Sequence, residues 1–151
     1  MVIYEGIFFD KETIELIHSF EKKPLSKPCN EIHCTFKFRP TKEEIFNDIV
    51  GKEIEVTLTG YASDGQNSGF QLQLPEDIQK YYINYDEKDH TKLKTPHITA
   101  SLEEGAIPMN TKDLDFKPLP KKYKIKGKFG FWISLGYNRG GYISYRKYFV
   151  K

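Results

Sequence analysis

Two short segments carry the same residue types at the same spacing: Ile32-His33-Cys34-Thr35-Phe36 and Pro96-His97-Ile98-Thr99-Ala100. Each is His-x-Thr set among apolar residues, which reads as a β-strand. Alternate side chains of a strand point to opposite faces, so His33 and Thr35 share one face, as do His97 and Thr99. Cys34, Phe36, Ile98 and Ala100 fall on the reverse faces and are free to be buried. Two imidazoles can act as base and acid at once, and two hydroxyls can hold the oxygens of a phosphate. The chain has four histidines, and chance supplies about a quarter of one such match where two occur. His18 and His90 lie outside the pattern.

Neighbouring positions extend both motifs. Lys37 continues the His33/Thr35 face and could bring positive charge to a bound phosphate. Arg39 follows it but precedes Pro40, so the strand ends there. Ser101 continues the His97/Thr99 face and could add a hydroxyl. No carboxylates cluster at a spacing that suggests a metal, and Cys29 and Cys34 with His33 and His18 match no zinc-finger spacing. The expected site therefore has no metal and needs no cofactor.

The elements that must position these residues can be read from their patterns. Val2 to Phe9 is a β-prone run. Asp10 can cap a helix through Thr13, Ile14, Ile17 and Phe20. Lys22 to Asn30 holds two prolines and reads as loop. Thr41 to Glu44 is a capping box, and Ile45, Phe46, Ile49 and Val50 follow at helical spacing with Gly51 as the stop. Ile54, Val56 and Leu58 alternate with polar residues, as do Phe70, Leu72 and Leu74, with an Asp64-Gly65 turn between the two strands. Pro75 to Tyr82 can form a short helix, Asn84 to Lys94 is an exposed polar loop, and Glu103 to Pro120 is rich in turn formers with a helical turn near Thr111 to Leu114. Lys122 to Ile133 is a strand whose lysines form its wet face. Asn138 to Gly141 turns the chain into a last strand from Tyr142 to Val150. The order is that of a mostly antiparallel α+β domain, with no linker to divide residues 1–151.

Composition agrees with one ordinary globular domain: 38% of the residues are hydrophobic and 29% charged. A net charge of +2 is too small for coating duplex DNA but allows a small anionic ligand. No apolar run approaches a membrane span, the first residues do not form a secretion signal, and two cysteines make no disulfide framework. The expectation is a cytoplasmic monomer with reduced thiols. Tyr81, Tyr82, Tyr85, Trp132, Tyr137, Tyr142 and Tyr145 mostly serve packing, although one or two could stack on a base.

The motif pair resembles that of the two-histidine (2H) phosphoesterase superfamily. The second motif, with Ser101-Leu102 and then Pro108-Met109-Asn110-Thr111-Lys112-Asp113-Leu114, is similar to the cyclic phosphodiesterase branch. Those proteins tend to have Leu-Gly after the His-x-Thr, where this chain has Ala100-Ser101. The resemblance implies a bilobal α+β fold, in which two antiparallel sheets line a central cleft and a few short helices lie outside. It also implies that His33 and His97 are catalytic and that Thr35 and Thr99 bind phosphate oxygens. The implied activity is metal-independent hydrolysis of a 2′,3′-cyclic phosphate on a small nucleotide or an RNA end. Two alternatives stay open: cleavage of a cyclic oligonucleotide signal, as in some phage enzymes of the superfamily, and a silent module that binds nucleotides or RNA ends.

Overall fold

Asp10 separates the first strand from the first helix. In the computed structural model, which describes residues 1–150, β1 (Val2–Phe8) ends before it and α1 (Lys11–Ser19) begins after it. Its carboxylate accepts the Thr13 backbone N–H at 2.9 Å, so the cap read from sequence forms. Ile14 and Ile17 are the buried residues of α1 and join the main core. The chain continues through β2 (Lys27–Pro28), β3 (His33–Phe38), β4 (Glu53–Ser63), β5 (Asn67–Gln73), α2 (Glu76–Gln79), β6 (His97–Leu102), β7 (Lys117–Ser134) and β8 (Gly141–Ser144). Short 3₁₀ turns lie at Lys42–Glu44 and Pro108–Asp113.

The architecture is α+β, mostly strands, and every strand pairing is antiparallel. Two sheets were expected, but the hydrogen bonds join eight strands in one sheet of order β2-β6-β5-β4-β7-β1-β3, with β8 also on β7. The reason is the length of β7. Its 18 residues pair with β4 as far as Lys128, then carry β8 on that same edge, while its other edge takes β1 from Lys128 to Ile133. One long strand thus fuses what would otherwise be two sheets. The lysines at 122, 124, 126 and 128 are exposed, while Ile125 and Phe129 are buried, so this strand does have a wet face. The sheet curls and brings β3 against β6.

Three local expectations are corrected. The capping box at Thr41–Glu44 forms, yet no helix follows, because Ile45 turns to extended backbone. The Phe46 N–H donates instead to Glu5 Oε1 at 3.2 Å, and Gly51 and Lys52 bond across to Phe129 of β7. These tertiary bonds outcompete helix propagation. The last strand stops at Ser144 rather than Val150, since Tyr148 is held by the Asn47 side chain at both its N–H and its carbonyl. The segment after Asn84 is not wholly exposed: Asn84 is buried and the Lys94 side chain is largely covered. Among the described residues no helix is long and apolar enough to cross a membrane.

Candidate active site

The strand faces read from sequence are the faces observed. Cys34, Phe36, Ile98 and Ala100 are fully buried, and they anchor β3 and β6 in the core. His33, Thr35, His97 and Thr99 stand half-buried on the other side and line one cleft of about 470 Å³. The two motifs are linked through Asn84. The Asn84 side-chain amide donates to the Thr35 carbonyl at 3.2 Å, and the Asn84 carbonyl accepts the Lys94 N–H at 2.8 Å, three residues before His97. The register of both motifs is therefore fixed on each side of the cleft.

The two imidazoles have different surroundings. His97 Nδ1 lies 2.7 Å from the Thr95 carbonyl oxygen, which can only accept. Nδ1 must carry the hydrogen, which leaves Nε2 as the other titrating atom. His33 is held by rings instead. Tyr4 stacks on it at 4.7 Å between centroids, and Phe8 flanks it at 5.7 Å. Behind Tyr4, Trp132 stacks at 6.1 Å. This apolar packing disfavours a charged ring, and a charge on His97 adds to the effect, so the His33 pKa is pushed down to about 4. His97 is also held below the ordinary imidazole range, chiefly by burial, with Lys94 and Lys112 opposing its charge while Thr95 and Asp113 favour it. Both rings are thus driven toward neutrality.

Thr99 is supported by a buried relay. Its hydroxyl lies 2.8 Å from Thr111 Oγ1, which accepts from Asn67 Nδ2 at 3.1 Å. Asn67 also donates to the Ile107 carbonyl at 2.8 Å, and both Asn67 and Thr111 are buried. The Thr99 hydroxyl donates to the same Thr111 oxygen, so this chain of bonds fixes the place of the Thr99 oxygen at the cleft. Gly69 allows this packing. A Cβ there would lie 2.3 Å from the Ile98 carbonyl oxygen and 2.6 Å from Thr111 Cγ2.

Two candidate residues lie elsewhere. Ser101 is buried, with its Oγ at 2.6 Å from Ser68 Oγ and 2.8 Å from Glu21 Oε1. The Leu25 N–H donates to it, and β2 pairs across Ser101 and Leu102, so the 21–28 segment covers this end of β6. Lys37 does not line the cleft; it pairs across from Glu5 of β1. Arg39 has left the strand with φ of 52°, and its guanidinium lies over the Phe38 ring.

Sequence reasoning passed over several residues of the cleft wall: Tyr4, Glu31, Asn84, Glu87, Lys94 and Lys112. Thr111 had a signal, since it sits in the Pro-x-x-Thr-x-x-Leu stretch. Lys94 had a weaker one, its place just before the second motif. Chemically, the cleft offers two imidazoles and two hydroxyls, with the ammonium groups of Lys94 and Lys112 and the carboxylates of Glu31 and Glu87 in its wall. Among the described residues no three His, Cys, Asp or Glu side chains converge as a metal site. Comparison of the chain with known protein families and with curated protein sequences finds no match.

Proposed function

We propose that this protein is a two-histidine phosphodiesterase that hydrolyses a cyclic phosphate of a nucleotide or an RNA end without a metal. The observation that carries the reading is the meeting of both His-x-Thr pairs in one cleft. The two-lobed fold of the superfamily belongs to the same proposal. Its support is that β6 with β5 and β4 lies on one side of β7, and β3 with β1 on the other.

The chemistry follows from the two environments. His33, with its low pKa and no polar partner shown, is the ring that stays neutral, and it takes a proton from the attacking water. His97, whose Nδ1–H is held by a carbonyl, is the ring whose cation is supported, and its Nε2–H gives a proton to the departing ribose oxygen. The water oxygen bonds to phosphorus as the P–O bond to that ribose oxygen breaks. Thr35 and Thr99 donate to the non-bridging oxygens, where one lost donor costs ~2.7–4 kcal/mol in comparable sites.

The test is an assay in the presence of chelator against a 2′,3′-cyclic nucleotide, an oligoribonucleotide ending in a 2′,3′-cyclic phosphate, and a 3′,3′-cyclic dinucleotide. Chelator-resistant hydrolysis of at least one is expected. No turnover of any of them overturns the hydrolase reading and leaves a binding module.

A further inference from the structure

Lys94 and Lys112 are built into the cleft rather than laid on its rim. Each side chain is only 11% exposed, an unusual degree of burial for a lysine. Each also adjoins a residue that holds the second motif. Lys94 precedes Thr95, whose carbonyl takes the His97 Nδ1–H, and Lys112 follows Thr111, whose hydroxyl holds Thr99. The lysines share one carboxylate. Glu87 Oε1 lies 3.5 Å from Lys94 Nζ, and its Oε2 lies 3.6 Å from Lys112 Nζ.

Glu87 differs from the lysines in being 54% exposed. It can swing out to water, whereas the largely covered lysine side chains would keep their places. A carboxylate whose two oxygens each meet a different ammonium stands where the two non-bridging oxygens of a phosphodiester would stand. Asp86 and Asp113 do not fill this role. Asp86 Oδ1 accepts the Lys88 and Asp89 backbone N–H groups at 2.7 and 3.3 Å, and Asp113 is exposed.

We propose that Lys94 and Lys112 form a second phosphate subsite beside the His/Thr site, held by the Glu87 carboxylate until a ligand arrives, so that the ligand carries at least two phosphodiester groups. The substrate class is then an oligonucleotide, linear or cyclic, rather than a mononucleotide. This rests on reading the His/Thr cleft as a phosphate site and adds what else that ligand must carry.

Uncleavable probes test it without turnover. Calorimetric titration compares a 2′-O-methyl dinucleoside monophosphate, with one diester, against the 2′-O-methyl trinucleoside diphosphate, with two. A 3′,3′-cyclic dinucleotide, titrated into the His33→Ala, His97→Ala double variant so that it is not turned over, is the third probe and separates a ring from a linear chain. The two-diester ligand of the correct topology is expected to bind about tenfold tighter than the one-diester ligand. Lys94→Gln and Lys112→Gln should remove most of that advantage. Glu87→Gln should enlarge it, a gain that misfolding does not produce. Equal affinity for one and two diesters overturns the subsite, as does a loss in the lysine variants that is the same for both. If two-diester ligands bind through the lysines yet no phosphoester is hydrolysed, the subsite stands and the hydrolase reading falls. If cyclic mononucleotides are hydrolysed and a second diester brings nothing, the reverse holds.

Discussion

Binding a phosphodiester at neutral pH should draw a proton into the cleft. With a pKa of about 4, His33 is protonated in roughly one molecule per thousand at pH 7, and placing a proton there costs about 4 kcal/mol. His97 is lowered too, so both rings are driven toward neutrality at that pH. The proposed mechanism needs one imidazolium. A diester monoanion between the rings reverses the Coulombic sign, and His97 is the ring that gains the charge, because the Thr95 carbonyl supports it. About one proton per bound ligand is therefore expected at pH 7, shrinking toward zero as the pH falls below the depressed His97 pKa. Titration of the 2′-O-methyl dinucleoside monophosphate in two buffers of different ionisation enthalpy counts the protons from the slope. His97→Asn should abolish the uptake and His33→Asn should retain it. The same pair should give kcat/KM a bell-shaped pH profile with its maximum below about pH 6.5. A zero slope at pH 7, or a maximum above it, refutes this account of the two rings.

Other outcomes follow from single contacts. Glu5 is fully buried with Oε2 lacking a partner, and burial pushes its pKa from 4.5 up to about 8. A carboxyl whose folded pKa is raised is least costly below pH 4.5 and increasingly costly up to about 8, so Glu5→Gln should stabilise the fold by about 3 kcal/mol at pH 7 and by little at pH 4. Urea denaturation at the two pH values checks this, and an equal effect at both contradicts it. Thr111→Val breaks the relay to Thr99 and should lower kcat/KM about tenfold with about 1 kcal/mol of lost stability, read by steady-state kinetics beside thermal melting. Gly69→Ala forces a methyl against the Ile98 carbonyl and Thr111, and a destabilisation of about 1–3 kcal/mol with a matching loss of activity is expected.

The parts of the site that obey strand periodicity were legible in the sequence. Alternation alone assigned the faces of His33, Thr35, His97 and Thr99, because Cys34, Phe36, Ile98 and Ala100 had to be buried. The first helix was equally readable, since an Asp cap and buried isoleucines at helical spacing agree. Where tertiary bonds compete with local pattern, the reading failed. Residues 45–50 have helical spacing, but Glu5 takes the Phe46 N–H and Phe129 takes the N–H of Gly51 that follows. Ser101 continues a motif face, but another segment folds over it. Lys94, Lys112 and Glu87 come from turn-rich stretches with no period, so only the folded chain brings them together.

The most direct test of the central claim is single-turnover hydrolysis, with chelator present, by the wild-type protein and by His33→Ala and His97→Ala, on whichever cyclic phosphate the wild type cleaves. Each substitution should reduce the rate by at least about a hundredfold while the melting temperature changes little. Near-wild-type hydrolysis by either variant would contradict a mechanism that uses both histidines.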